Sequence, residues 1–301
     1  MKSRRMAVVS IVMGLLFLWV GTGFSQQQGD GKVGMTDWTK IIDSKVAEQV
    51  GDKGIVNYEE GYIEAVGMGA PPEKYYGKPQ ARPMALRAAQ LDAYRNLLEV
   101  TKGVQISSQT TVKDFVTESD VINSQVEGLI KGAKVMNKEY LSDGTVEVTV
   151  RMPLNGIAKA VFPKVVADDK KTVALPPPVR VKPTPSGEEV YTGLVIDARG
   201  LQARPAMSPK IIDENGKEIY GSLVVNKEYA VQQGISGYAR DLTAAQGNAR
   251  VTNNPITVKG LSAEGAGKSD IKISNDDARK LRSVKENVAF MKKCRVMIVL
   301  D

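Results

Sequence analysis

The sequence predicts an α+β protein made of two small modules, each a mostly antiparallel sheet packed with helices, joined by a Pro-rich linker. Three observations lead to this prediction. The chain has 301 residues, which is longer than one average domain. Five prolines between positions 176 and 185 favour an extended spacer. On both sides of it, segments of helical period mix with short strand-like runs. We therefore expect a first module at 38–162, a linker at 163–189 and a second module at 190–301.

The first 25 residues are typical of a secretory signal peptide. Three basic residues precede the apolar run Met6–Val20, and small residues precede an expected cleavage between Ser25 and Gln26. The run is shorter than the roughly 20 residues that a membrane-spanning helix needs. We therefore expect an exported mature chain without a membrane span, in the periplasm or associated with the cell envelope. Retention of the leader as an anchor stays open, whereas no cysteine lies near the cleavage point to carry a lipid.

The first module begins with short elements and continues with a long helix. A helix is expected within Trp38–Val50 and a strand within Ile55–Val66, followed by a loop rich in glycine and proline. The helix Arg82–Thr101 has Pro83 in its first turn and ends before Gly103. Alanines and larger apolar residues recur along one side at three- and four-residue spacing. We expect a sheet to pack closely against that side.

The rest of the first module predicts a strand, a helix and a hairpin. The expected elements are a strand at Val104–Val112, a helix at Glu118–Lys131 and a hairpin of Lys134–Leu141 with Val146–Met152. A turn at Asp143-Gly144 joins the two strands of the hairpin. The last strand alternates apolar residues with Glu147, Thr149 and Arg151, which predicts one buried and one solvated face.

An Ala-rich helix, a glycine, a strand, a second helix and a hairpin follow one another over residues 81–154. The residues that mark this series are Ala85, Ala88, Ala89, Ala93, Asn96, Leu97, Gly103, Gly128, Asp143 and Gly144. The series resembles the Lpp-twenty lipoprotein family and the related N-terminal domain of flagellar assembly protein T. The resemblance implies an exported, non-enzymatic surface or assembly protein and supplies no catalytic residue. This chain lacks the lipid-accepting cysteine of the lipoproteins, so an envelope location is implied without that anchor.

The second module combines apolar strands with helices, and we recognise no family in it. Gly234 and Gly237 are expected to interrupt the helical stretch in its middle. The apolar run at the end of the chain predicts a central strand. The expected elements are strands at Val190–Ala198, Ile256–Leu261 and Cys294–Leu300, a hairpin at Lys210–Tyr220, a helical stretch at Asn226–Gln246 and a helix beginning at Asn275.

Charge and residue types argue against several classes of function. The net charge is +7, but without the three basic residues of the leader it is +4, and acids and bases are interspersed. This pattern argues against a nucleic-acid partner. The chain contains no histidine and one cysteine, Cys294, which we expect to be a buried hydrophobe. Histidine-dependent nucleophiles and the usual zinc sites are therefore excluded, and we expect no catalytic residue, cofactor or metal.

Two patterns suggest chemistry, and each also has a structural interpretation. Adjacent acids occur at 59–60, 168–169, 188–189 and 276–277, and two carboxylates can hydrolyse a glycan. Gly265–Ser269 resembles the end of a phosphate-binding loop. However, Ser262 stands where such a loop needs its first glycine, and a strand rather than a helix is expected to follow.

The loop after the strand Val190–Ala198 contains the best candidates for binding a partner, Asp197, Arg199 and Arg204. The two guanidinium groups could bind a carboxylate or phosphate of a partner, or they could pair with Asp197 and nearby acids. We predict a non-enzymatic envelope protein that acts through contacts with other envelope proteins, in surface or flagellar assembly. The partner and any self-association are left open. The alternatives are a carboxylate-based cell-wall glycan hydrolase and a non-catalytic module that binds envelope polymer.

Overall fold

The computed structural model describes residues 37–166, 190–283 and 285–301, which fall within one compact unit. It confirms the α+β class, with one antiparallel, one parallel and one mixed sheet packed with helices. The expected cleavage between Ser25 and Gln26 and most of the linker lie outside these ranges and stay predictions. No helix within the described ranges is both long and apolar enough to cross a membrane.

Residues 37–166 form an antiparallel sheet with the strand order β1-β2-β3-β5-β4. The long helix α2, the helix α4 and the hairpin across Asp143-Gly144 lie within two residues of their predicted bounds, whereas α3 and α5 were not predicted. The strands are β1 (Ala47–Gln49), β2 (Gly54–Asn57), β3 (Tyr62–Gly69), β4 (Lys134–Tyr140) and β5 (Val146–Pro153). The helices are α1 (Thr39–Ser44), α2 (Ala81–Lys102), α3 (Val112–Glu118), α4 (Asp120–Lys131) and α5 (Leu154–Val165).

The helix α2 lies close to β3 because both contact surfaces consist of small residues. Ala89 and Ala93 have no exposed area, and two glycines of β3 lie against them. A Cβ on Gly67 would lie 2.0 Å from the backbone nitrogen of Ala93, and one on Gly69 would lie 2.3 Å from that of Ala89. The predicted close packing of a sheet on the alanine side of this helix is confirmed.

The solvated face predicted for β5 is wrong. Glu147 and Thr149 are only 3% and 5% exposed. On this side of the sheet, Trp38 packs against Val66 of the neighbouring strand, and its Nε1 donates a hydrogen bond to Glu64 at 3.1 Å. A layer from the beginning of the described chain thus covers part of this face, and alternation within β5 alone does not reveal it.

The predicted strand Val104–Val112 is wrong, because the segment forms a loop that leads into α3. Its carbonyl groups accept hydrogen bonds from the second half of the chain. Met207 N donates to Gln105 O at 3.0 Å, and Ser208 N donates to Ile106 O at 2.7 Å. These tertiary hydrogen bonds satisfy backbone groups that a sheet neighbour would otherwise have satisfied.

Residues 190–301 contribute two sheets, a parallel one with the order β10-β6-β13-β9 and a mixed one with the order β11-β12-β7-β8. The strands are β6 (Gly193–Asp197), β7 (Ile211–Ile212), β8 (Glu218–Tyr220), β9 (Gly237–Ala239), β10 (Pro255–Lys259), β11 (Ser262–Glu264), β12 (Asp270–Lys272) and β13 (Val296–Val299). The helices are α6 (Lys227–Gln233), α7 (Leu242–Gln246), α8 (Asn275–Ser283) and α9 (Lys285–Lys292).

The parallel sheet corrects the prediction of a mostly antiparallel sheet in this half. Its central strands β6 and β13 are buried on both faces: Val195 and Met297 belong to one apolar cluster, and Leu194 and Ile298 belong to the main core. Such burial is typical of parallel strands, whose connections cross over the sheet. The central place of β13 is confirmed. The stretch 226–246 is helical at both ends and is interrupted at the two predicted glycines: α6 ends before Gly234, and β9 begins at Gly237.

Hydrogen bonds and ring contacts join the two halves of the described chain. Arg240 donates to the carbonyl groups of Ile42 at 2.6 Å and Lys45 at 3.0 Å. The rings of Tyr58 and Tyr238 meet edge to face with centroids 5.9 Å apart. The apolar core is also continuous across this boundary. The division into two domains at the predicted boundaries stays a prediction.

The single cysteine is buried, as its apolar surroundings in the sequence predict. Cys294 has no exposed area, and burial raises the pKa of its thiol from 9.0 to about 11. At pH 8, an unfolded thiol is therefore ionised about a hundredfold more than the folded one. Because the chain has no other cysteine, the rate of thiol labelling reports unfolding.

Candidate binding surfaces

The first predicted arginine binds a carboxylate of its own loop. Asp197 ends β6, and Arg199 donates from Nε to Asp197 Oδ1 at 2.8 Å and from its terminal nitrogen to Oδ2 at 3.0 Å. The hydrogen bonds from Arg199 lower the pKa of the Asp197 carboxyl. Lys259 Nζ lies 3.8 Å from the same Oδ2. Two cations therefore already surround this carboxylate.

The second predicted arginine binds a different acid. Arg204 Nε lies 2.9 Å from Glu48 Oε1, and its terminal nitrogen lies 3.4 Å from Oε2. Glu48 belongs to β1, so the pair connects the loop to the first sheet. The structure thus brings Asp197 and Arg199 together and gives Arg204 a separate partner. Both arginines keep exposed area, and their role in binding another protein stays a prediction.

The glycine-rich loop Gly265–Ser269 is the turn between β11 and β12, and a strand follows it, as predicted. A Cβ on Gly265 would lie 2.5 Å from Ser108 Cβ, and Gly267 N donates to Ser108 O at 2.7 Å. These glycines therefore have a packing role, because they allow the turn to approach the loop that precedes α3.

The adjacent acids of the described residues occupy ordinary structural positions. Glu59 and Glu60 lie 3.0 and 3.6 Å from Lys45 Nζ. Asp276 and Asp277 lie in the first turn of α8, where the helix dipole favours negative charge. The other two predicted pairs lie outside the described ranges. Within those ranges, no group of three or more cysteine, aspartate or glutamate residues is placed to hold a metal ion.

A groove of about 610 Å³ runs between α4 and α5, and we call it the α4–α5 groove. Its apolar lining includes Leu129, Met152 and Ala160. A Cβ on Gly156 would lie 2.9 Å from Leu129 Cδ2, so this glycine sets the close contact of the two helices. Gly128 also lines the groove, but its Cβ position has no atom within 4 Å. Since glycine inside a helix costs roughly 0.5–1 kcal/mol relative to alanine, Gly128 lowers stability without a packing requirement.

Three cationic side chains border the α4–α5 groove. Arg151 is held by Glu64, with Nε and a terminal nitrogen each 2.7 Å from Glu64 Oε2. Lys134 and Lys159 are exposed, and neither forms an ion pair with a carboxylate of the described residues. The groove therefore combines an apolar lining with two unpaired positive charges.

Beside the groove begins an edge of the first sheet that pairs with no other described strand. Lys134 is the first residue of β4, which is the edge strand of the first sheet. Met136 and Tyr140 of this strand are each 50% exposed. An edge strand carries unpaired backbone groups that can bind an extended chain.

The sequence prediction missed the groove because it missed α5. Residues 163–165 were assigned to the linker, whereas they form the end of α5, with Pro163 in its last turn. The signal was present in Leu154, Ile157, Val161 and Phe162, which recur at helical spacing. Lys134 and Lys159 become neighbours of one groove only through the fold.

Comparison with known families gives a match for the second half of the chain. Residues 193–301, from β6 to the last described residue, match the family described as Treponema pallidum Tp0624, second domain. The match covers little more than a third of the chain and leaves residues 37–166 without an assigned family. No curated protein matches the chain.

Proposed function

We propose that this chain is an exported, non-enzymatic envelope protein whose α4–α5 groove binds an acidic, amphipathic segment of another envelope protein. The groove carries the proposal, because an apolar surface bordered by lysines that pair with no carboxylate of the described residues suits such a segment. The leader at residues 1–25 and the resemblance of residues 81–154 to the Lpp-twenty family support the location. Surface or flagellar assembly is the role that this resemblance favours.

Charge complementarity determines the kind of occupant. Apolar side chains of the bound segment would cover Leu129 and Pro153, and its carboxylates would reach Lys134 and Lys159. A basic segment, or a second groove of the same kind, would bring like charges together. We therefore propose an acidic segment, and we take a different protein as its source because two copies of the groove would repel each other.

We expect a photo-crosslinking residue at Gln125, an exposed position of the groove, to capture an acidic segment in cells that export the chain. The double substitution Lys134→Glu with Lys159→Glu should lower the yield at least about tenfold, because two attractions become repulsions. Gly128→Phe should lower it similarly by filling the groove without changing its charge. Mass spectrometry of the crosslinked peptide measures both the yield and the captured sequence.

A matched control changes the same charge elsewhere. Lys40 and Lys292 are exposed outside the groove, so Lys40→Glu with Lys292→Glu should leave the yield unchanged. The proposal fails if both double variants give equal yields. It also fails if the captured peptide is not acidic, or if it comes from another copy of this chain.

A further inference from the structure

A cavity of about 450 Å³ lies between the two halves of the described chain. The turn between β2 and β3 and the helix α5 form one part of its lining, and the connection from α6 to β9 forms another. Tyr58, Phe162 and Tyr238 contribute aromatic surface, and Gln232 and Asn248 contribute polar groups. The cavity therefore offers both apolar and hydrogen-bonding surface to a small molecule.

A cation without a carboxylate partner lines this cavity. The Arg250 guanidinium donates to the carbonyl groups of Gln233, Gly234 and Cys294, the last at 2.9 Å. It forms no ion pair with a carboxylate of the described residues. Burial lowers the pKa of this guanidinium. A half-buried charge that is held only by neutral carbonyl groups is costly, and an incoming anion would compensate it.

The Nε atom of the Arg250 guanidinium remains available to donate a hydrogen bond. The three carbonyl bonds use the two terminal nitrogens, and no described residue accepts a hydrogen bond from Nε. Gly237, which also lines the cavity, lies close to this atom, because a Cβ there would lie 2.9 Å from Arg250 Nε. Nε and a terminal nitrogen are the pair that binds carboxylates in a two-point arrangement, as in the Arg199–Asp197 pair.

The same cavity also has a negative portion. Glu59 and Glu60 line it, and both carboxylates share one cation, Lys45, at 3.0 and 3.6 Å. Among the described residues, this group thus has two carboxylates and one ammonium group. A polyanion would be repelled there, whereas an ammonium group would be attracted.

We propose that this cavity binds a small molecule with a carboxylate at one end and an ammonium group at the other. The carboxylate binds the Nε side of Arg250, and the ammonium group lies near Glu59 and Glu60. Because both halves of the chain line the cavity, the ligand stabilises their contact. Binding of this ligand does not require that the α4–α5 groove bind a partner.

Calorimetric titration of the mature protein, purified after export, tests the proposal with γ-aminobutyrate, butyrate and butylamine as probes. We expect γ-aminobutyrate to bind at least about tenfold more tightly than either probe that carries one charged group. Arg250→Lys should weaken γ-aminobutyrate binding about tenfold, because lysine cannot form the two-point contact.

Two further variants test the binding site even if the Arg250→Lys protein folds poorly. Ala244 is an exposed residue of the cavity lining, so Ala244→Trp should block binding while the protein stays folded. Arg95 is exposed on α2, and Arg95→Lys should leave binding unchanged. Equal affinities for the three probes, no binding at about 10 mM γ-aminobutyrate, or full binding by the Ala244→Trp protein would each overturn the proposal.

Discussion

Replacing Gly67 with alanine is expected to lower the free energy of unfolding by roughly 3 kcal/mol or more. The added Cβ would lie 2.0 Å from Ala93 N and 2.5 Å from Ala89 O, both backbone atoms of α2. A side chain cannot rotate away from these contacts, so the helix must move off the sheet. Such a movement would open the fully buried layer of Ala89, Ala93 and Leu97. Urea denaturation, with labelling of Cys294 as a second probe, measures the loss.

A second glycine-to-alanine substitution supplies the control. Gly128→Ala places its Cβ in open space inside α4, so we expect a gain of roughly 0.5–1 kcal/mol. The two substitutions add the same methyl group and should change stability in opposite directions. Changes of equal sign and size would show that α2 is not packed against β3 as described.

Replacing Arg151 with methionine is expected to cost about 3–5 kcal/mol, because it leaves the carboxylate of Glu64 buried without a cation. Glu64 is 4% exposed, and Arg151 and Trp38 bind its two oxygens. Arg151 also lies over the ring of Tyr62, 3.8 Å from its centroid, and this contact would weaken as well. Urea denaturation of the two proteins gives the difference.

The Arg199–Asp197 pair supplies a control. Replacing Arg199 also removes an arginine, but it does not leave the paired carboxylate without a cation. Arg199 contacts Asp197 through two nitrogens, but its side chain is 41% exposed. Because Lys259 Nζ would remain 3.8 Å from Asp197 Oδ2, Arg199→Met should cost no more than about 1 kcal/mol. The double variant Arg151→Met with Glu64→Leu should recover most of the stability lost in Arg151→Met. If the two single arginine variants lose equal stability, the buried-pair explanation is wrong.

Local sequence patterns predicted the elements that have a clear periodicity, turn or apolar run of their own. The helix α2 has a long apolar side, the hairpin has Asp143-Gly144, and β13 is a continuous apolar run. The errors arose where distant residues determine the environment. Loop 104–111 bonds to residues of the second half, and Trp38 covers part of a face of the first sheet.

The candidate sites were harder to predict than the fold for a similar reason. Arg199 and Asp197 are neighbours in sequence, so their pairing was one of the two interpretations offered. Arg204 and Glu48 are far apart in sequence, and only the fold brings them together. The cavity at Arg250 likewise joins residues of both halves, and no spacing in the sequence indicates it.

The mass of the N-terminal peptide tests most directly the central proposal, which is that the chain acts outside the cytoplasm. Cells that express the full chain are fractionated by osmotic shock, and the protein in each fraction is digested. Mass spectrometry then measures the mass of its N-terminal peptide. We predict a protein that begins at Gln26 in the periplasmic or envelope fraction. An intact leader on protein that remains entirely in the cytosol would contradict the account.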